Sequence, residues 1–502
     1  MTDKVKIVFT PSGIRGEVDK GTDILTAART LGADLDTVCG GNGVCGRCKI
    51  QISEGEFTKH QITSKGTHLS KLTTADIELF PSTKLSQGFR LGCRAKIMAD
   101  VVVDIPPESQ VHQQVVRKEA AALTIETKPA VKLYTVDVAE PQLDSSTGDL
   151  ERLREAIEFE AGLQNLTFDF SILPVMQSVL RKGKWQVTLA VYADTRVIAI
   201  WPGEQTQRYG IAVDIGSTTL AGHLCDLNTG DVLASSGLMN PQIRFGEDVM
   251  SRVSYAMMNA GGDVEMTQAV RDGINAVIED LLLQAKLEVE HVLDIVCVAN
   301  PIMHHLILGI DPVELGGAPF ALATQASLNL AARDLNLSLA KGARLYMLPC
   351  IAGHVGADAA AVALSEAPYK QEAITLIIDV GTNAEIILGN KDKCVSASAP
   401  TGPAFEGAQI EHGQRAAPGA IEKVRIDPIT LEPKFKVIGI EEWSDEASFP
   451  EQAKKTGVTG ICGSGIIEAI ATLFLAGVIQ ADGVMNGAQA AQSSRIIKND
   501  KT

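Results

Sequence analysis

Residues 39–48 read CGGNGVCGRC, and a fourth cysteine follows far downstream in LGCRAKI, residues 91–97. Cys39, Cys45, Cys48 and Cys93 together supply four thiolates, the usual holder of a two-iron, two-sulfur cluster. Gly40, Gly41, Gly43 and Gly46 lie between the first three. Lacking side chains, they let a loop wrap closely and aim backbone N–H groups at cluster sulfurs.

The Cys-x5-Cys-x2-Cys spacing is one residue longer than the plant ferredoxin pattern, which also draws its fourth ligand from a distant segment. Zinc and plain structure are the rival readings. A zinc ribbon usually presents two Cys-x2-Cys pairs, and here there is one. A disulfide fits poorly with an N-terminus, MTDKVKIVFTPSG, that opens a strand and does not read as a secretory signal. The expected compartment is therefore the cytoplasm. The remaining cysteines, Cys225, Cys297, Cys350, Cys394 and Cys462, sit among apolar neighbours and read as small core residues.

Around the loop the pattern is that of a small β-grasp domain. Residues 4–9 and 13–18 alternate like a hairpin, Ile24 begins a short amphipathic helix, and CKIQISEG is a strand. A short helix near Thr74–Phe80 leads to strands around Cys93 and VVVDIPP. Residues 1–107 form this domain, and the polar stretch 108–127 reads as a linker. Residues 128–206 carry strand, helix, helix and two strands, a small α+β unit without a catalytic constellation, read as a spacer or docking module.

From 207 to 502 alanine, glycine and isoleucine become dense, and strands alternate with helices, suggesting a mostly parallel sheet. One pattern occurs twice. IAVDIGSTTLAGHL holds Asp214, Gly216, Ser217 and Thr218, and LIIDVGTNAEIIL holds Asp379, Gly381 and Thr382. Each is an apolar strand, a tight turn and a second strand. Such a turn can embrace a phosphate through its N–H groups and hydroxyls, while the Asp holds hydrated Mg²⁺. Two facing copies are the signature of the actin, sugar-kinase and Hsp70-type nucleotide fold. Structural hairpins without nucleotide remain the alternative.

IAGHVGADAA puts Asp358 at a helix start, where the dipole favours an anion. TGPAFEGAQI and GICGSGIIEAI are either cleft loops or tight helix–sheet contacts. His304 and His305 are adjacent, point apart on any regular element, and read as a core or surface pair. The run EEWSDEASFPE reads as a solvated loop.

Composition excludes several classes. With 502 residues the chain holds about three domains, at ~150 residues each. A net charge of −16 and no basic patch argue against nucleic-acid binding. No apolar run reaches the ~18 residues needed to cross a bilayer.

The combination resembles the reductive activators of corrinoid proteins, through CGGNGVCGRC, LGCRAKI, IAVDIGSTT, NPQIRFGEDV, NPIMHHLILG, LPCIAGHVGAD, IDVGTNAEI, TGPAFEGAQI and GICGSG. The resemblance implies a multidomain α/β protein: a 2Fe-2S ferredoxin-type domain, a small α+β middle domain and an actin/Hsp70-like (ASKHA, ribonuclease H-like) domain. It implies an electron-transfer protein that restores a methyltransferase corrinoid protein from Co(II) to Co(I) in an ATP-dependent manner. An external low-potential donor and a homodimer are expected with it, and ATP with Mg²⁺ is the second cofactor implied. The family's Ala-Gly-Gly-Phe-Gly-like adenosine loop has no counterpart here, so the nucleotide domain is expected to be C-terminally shortened. A ferredoxin-tethered docking protein without ATPase activity stays open as the alternative. An activator of a radical dehydratase fits less well, because four ligands lie in one chain.

Overall fold

A computed structural model describes residues 3–35, 43, 46–106, 109–110, 126–144, 146–246, 248–381, 383–401, 412–413, 416, 418–491, 493 and 495–496. By contact the chain forms two compact units. One comprises Met1–Val115, Ile243–Asn259 and Glu372–Thr502, the other Val116–Gln242 and Ala260–Gln371.

The N-terminal domain contains β1 (Lys4–Thr10), β2 (Ile14–Asp19), α1 (Ile24–Leu31), β3 (Lys49–Ser53), β4 (Gly55–Phe57), β5 (Ile62–Ser64), α2 (Thr74–Leu79), α3 (Ser82–Ser86), β6 (Phe89–Leu91) and β7 (Val101–Asp104). Its five-stranded sheet runs β2-β1-β7-β3-β6. The first two strands form the expected hairpin, and β1 pairs in parallel with β7, as in a β-grasp fold. Asp23 caps α1 by accepting from Thr26 N, and Gly32 ends it in the left-handed region at φ 84°. The helix buries Ile24, Leu25, Ala27 and Ala28 in the same core as Ile7, Phe9, Ile50, Leu91 and Ile97. Fully burying a side chain of this size contributes about 1.5–3 kcal/mol.

The next segment holds β8 (Val131–Asp137), α4 (Asp149–Ala161), β9 (Thr167–Phe168), α5 (Leu173–Lys182), β10 (Gln186–Tyr192) and β11 (Arg196–Pro202). Its sheet is ordered β8-β10-β11-β9. Leu153 and Ile157 of α4 and Leu180 of α5 share a core with Val187 and Leu189 of β10.

There follow β12 (Tyr209–Ile215), β13 (Thr219–Asp226), β14 (Val232–Met239), α6 (Val249–Met258), α7 (Gly262–Ala285), β15 (Val292–Ala299), α8 (Pro301–Leu308), β16 (Leu328–Ala331), β17 (Arg344–Met347) and α9 (Ala357–Glu366). The six strands line up as β14-β13-β12-β15-β17-β16. The expectation of a mostly parallel sheet is corrected here. Only β12–β15 and β15–β17 pair in parallel, and the other pairings are antiparallel. Short loops join β12 to β13 and β13 to β14, and a short loop can only return the chain antiparallel.

The last segment contains β18 (Thr375–Val380), β19 (Asn383–Gly389), β20 (Cys394–Pro400), β21 (Ala420–Ile426), β22 (Pro433–Val437), α10 (Phe449–Thr456), β23 (Gly460–Ile461) and α11 (Gly463–Leu475). It makes two three-stranded sheets, β18-β19-β20 and β22-β21-β23. α11 starts directly after Cys462, within the motif GICGSG.

Of the five cysteines expected in cores, Cys297, Cys350 and Cys462 are buried. Burial, with the Asp294 charge next, pushes the Cys297 thiol up to about 12, which keeps it inert. Cys225 is half-buried and Cys394 is exposed. Cys394 opens β20, an outer strand of its sheet, where apolar neighbours in sequence do not bring burial. His304 and His305 are core residues of α8. Burial, then the neighbouring His305, pushes His304 down to about 4. Among the described residues no helix is long and apolar enough to cross a membrane.

Candidate cluster and phosphate sites

Cys48 stands at the entrance of β3 and Cys93 just past the end of β6, and these two strands are paired. The Gly92 N–H donates to the Cys48 carbonyl at 2.7 Å, so the residue before Cys93 is tied to Cys48. Arg94 N and Ala95 N both donate to the Leu91 carbonyl at 2.9 Å, folding Cys93 into a tight turn. Leu25 N donates to the Gly92 carbonyl at 3.1 Å and Ile24 N to the Ala95 carbonyl at 3.1 Å, which fastens the turn to α1. Gly43 and Gly46 have φ of 76° and 66°, a region that favours glycine. A Cβ at Gly43 would lie 2.4 Å from Nε of Arg94, so the Arg94 guanidinium lies against Gly43.

A buried carboxylate that sequence reading missed supports this turn. Asp76 accepts from Leu91 N at 2.8 Å and from Thr73 N at 2.8 Å, and lies 3.3 Å from Arg90 Nε. Burial alone would raise its pKa, but the bonds from Leu91 and Thr73 and the Arg90 charge outweigh burial and hold it below the usual carboxylate range. The Thr73-x-x-Asp76 capping box at the start of α2 was the available signal.

The described half of the thiolate set therefore fits an iron–sulfur group: two cysteines at adjoining ends of paired strands, with left-handed glycines nearby in sequence. Cys39 and Cys45 lie outside the described residues.

The first of the two Asp-x-Gly turns, the candidate phosphate sites, joins β12 to β13. Gly216 N donates to the Thr219 carbonyl at 2.9 Å, and a Cβ on Gly216 would meet that oxygen at 2.7 Å. Asp214, Ser217 and Thr218 are half-buried at its tip. Asn240, 1% exposed, clamps the turn from behind: Nδ2 donates to the Gly216 carbonyl at 2.7 Å and its N–H to the Thr218 carbonyl at 2.8 Å. Nothing local marked Asn240, although it opens the motif NPQIRFGEDV. Asp214 pairs with Val298 near the carboxyl end of β15. At the same end, a Cβ on Gly356, the cap of α9, would lie 2.5 Å from the Ala299 carbonyl. Asp358 in the first turn of α9 is thus carried to the strand ends where open α/β sheets take ligands.

The second turn joins β18 to β19 in the other unit. Gly381 N donates to the Asn383 carbonyl at 2.9 Å, and Thr401 Oγ1 donates to the Gly381 carbonyl at 2.6 Å. Asp379 is exposed and faces Glu385 across the hairpin. Burial raises the Glu385 pKa, a hydrogen bond from Ser398 opposes this, and the Asp379 charge adds to the rise. Thr382 lies outside the described residues, as do the residues of TGPAFEGAQI beyond Thr401.

Comparison with known families matches residues 8–97 to a 2Fe-2S iron–sulfur cluster binding domain. Residues 120–207, 209–371 and 373–502 match the RACo linker region, the RACo middle region and the C-terminal ASKHA domain of RACo. The chain belongs to the family of reductive activators of corrinoid proteins.

Among similar members, the corrinoid activation enzyme RamQ of Eubacterium limosum is 29% identical over 92% of this chain and 70% of its own length. The [Co(II) methylated amine-specific corrinoid protein] reductase of Methanosarcina barkeri is 28% identical over 54% of this chain and 52% of its own. A solved reductive activator for corrinoid, iron–sulfur protein superposes with a TM-score of 0.63 and 29% identity, covering 99% of this chain and 76% of that one. The chain thus has a multidomain α/β architecture, with a 2Fe-2S domain leading an ASKHA segment.

Proposed function

We propose that this chain is a one-electron carrier that returns the cobalt of a methyltransferase corrinoid protein from Co(II) to Co(I), with ATP required for the transfer. The observation that carries the reading is the tie between Cys48 and the turn holding Cys93, within a segment matching a 2Fe-2S domain. Cys39, Cys45, Cys48 and Cys93 would hold the cluster. When bound, such a cluster supplies single electrons at a potential near about −400 mV. The protein's own part is to keep the two described cysteines at adjoining ends of paired strands, with Arg94 against Gly43.

Reduction to Co(I) is uphill from that potential, which gives a reason for a nucleotide site in the same chain. In this reading Asp214, Gly216, Ser217 and Thr218 take phosphate at the first turn, and Asp379, Gly381 and Thr382 at the second. Asp358 completes the set, and the Asp carboxylates take hydrated Mg²⁺. The corrinoid proteins named for the two relatives support the partner assignment. An external low-potential donor, a homodimer and a cytoplasmic setting belong to the same proposal.

The second reading, a cluster-bearing docking protein without ATPase activity, is favoured by one observation. The strand leading into the second turn exposes its apolar residues, with Ile378 53% accessible.

The test mixes the reduced, cluster-loaded protein with Co(II) corrinoid protein and follows Co(I) absorbance with and without ATP. Co(I) that forms only with ATP is the expected result. Co(I) formed equally without ATP points to the docking reading, and no Co(I) in either arm rejects the electron-transfer reading.

A further inference from the structure

Charge is shared unevenly along this chain. Residues 1–107 carry fourteen Lys and Arg against twelve Asp and Glu, a net +2 in a chain whose net charge is −16. Most of the molecule therefore repels an acidic partner, and the N-terminal domain does not. Two of its cations stand directly beside the candidate cluster ligands. Arg47 is exposed and precedes Cys48, and Arg94 is exposed and follows Cys93. The Arg94 guanidinium lies against Gly43, so it sits where the fourth-ligand turn meets the cysteine loop.

Apolar surface adjoins these cations. Ile77 and Leu79 of α2 are exposed. A Cβ on Gly46, the neighbour of Arg47, would meet Leu79 Cδ2 at 4.0 Å, which sets Leu79 beside the loop. The Thr73 cap and Asp76, buried against Arg90, fix this helix, and Glu78 is its exposed carboxylate. Of the two described ligands Cys48 is buried and Cys93 half-buried, so solvent lies nearer the Cys93 side, next to Arg94. Apolar residues rimmed by cations at the less buried ligand suit a small, transient contact steered by charge.

From this arrangement we infer that Arg47, Arg94, Ile77 and Leu79 form the face on which an acidic one-electron donor docks to charge the cluster. The donor must arrive and leave for each electron, and electrostatic complementarity acts chiefly on arrival. The inference rests on the cluster and the external donor of the proposed function. The Co(I) assay starts from protein already reduced, so the two can fail separately.

The test compares the full, cluster-loaded chain with its Arg47→Glu/Arg94→Glu variant, using two donors that each give one electron to the oxidised cluster. Flavodoxin hydroquinone, a small acidic protein's anionic cofactor, becomes the neutral semiquinone. The methyl viologen radical cation becomes the dication. In stopped flow the parent's rate with flavodoxin should fall as salt rises, and at low salt the variant should be about tenfold slower, a gap that closes at high salt. With methyl viologen the variant should be as fast as the parent or faster. A readout without electron transfer is the anisotropy of fluorescein-labelled hexaglutamate at low salt, which the variant should bind several-fold more weakly. If charge reversal costs the cluster, judged by bound iron, Arg47→Gln/Arg94→Gln decides, with about a threefold slowing expected. A flavodoxin rate unchanged in the deciding variant overturns the inference, and if that variant also loses Co(I) formation the face belongs to the corrinoid protein. Equal slowing with both donors, or unchanged hexaglutamate binding, overturns it too.

Discussion

The two Asp-x-Gly turns are near copies in sequence and in local bonding, and they stand on very different ground. In each, the glycine N–H closes the turn at 2.9 Å and the glycine carbonyl is held by a side chain, Asn240 at 2.7 Å in one and Thr401 at 2.6 Å in the other. The strand into the first turn is interior to a six-stranded sheet, with Val213 1% exposed. The strand into the second is the edge of a three-stranded sheet, with Ile378 53% exposed. Leu376, Val380, Leu388 and Val395 share the face of Ile378 and are exposed with it. A local motif therefore specifies the turn, while the surrounding sheet decides how firmly the turn is held.

The largest expected contrast is a matched pair of charge insertions, each at the residue before the Asp. Val213→Asp puts a carboxylate into a closed core and should cost about 3 kcal/mol or more, enough to unfold its unit in a denaturant titration. Ile378→Asp, on an open face, should change stability by about 0.5 kcal/mol or less. Equal effects would break the contrast.

The clamps come next. Asn240→Ala strands the Gly216 carbonyl and the Gln242 N–H, which Asn240 Oδ1 accepts at 3.0 Å, and should cost about 1–3 kcal/mol. Thr401→Val removes one bond near solvent and should cost about 0.5–1.5 kcal/mol. Thermal melts of the two variants rank them.

A smaller effect concerns the open face itself. Ile378→Lys should lower the fluorescence of a bound hydrophobic dye, while Val213→Ala leaves that face and its dye signal as they were. The smallest is electrostatic. Glu385 has a folded pKa above its ordinary 4.5, so it favours the fold only below that value, and ionising it as pH rises through the folded pKa takes stability away. Glu385→Gln should therefore be slightly more stable than the parent at neutral pH, and the gain should vanish below about pH 4. A gain that grew on acidification would reverse the sign.

Much of this architecture was legible in residue order because its signals are local. Period-two alternation marked β1 and β2, and Asp23 and Gly32 bracketed α1. Valine- and isoleucine-rich runs before an Asp-x-Gly marked both turns. What could not be read was non-local. The hairpin returns that make the large sheet mixed depend on which strands neighbour one another. Cys394 is exposed because β20 is an outer strand, a fact of pairing that apolar neighbours in sequence do not carry. Asp76 serves Leu91, Asn240 serves Gly216, and Tyr255 reaches Glu54 across some two hundred positions. Cys48 and Cys93 are the exception among distant groups: residue type set them together in expectation, and the bond from Gly92 N to the Cys48 carbonyl ties their segments.

The most direct measurement is electron paramagnetic resonance of anaerobically isolated, dithionite-reduced protein, with iron counted on the same sample. The account expects the signal of one reduced 2Fe-2S centre per chain, abolished in Cys48→Ser or Cys93→Ser while the fold survives by circular dichroism. Iron-free, silent protein, or an unaltered signal in both serine variants, would contradict it.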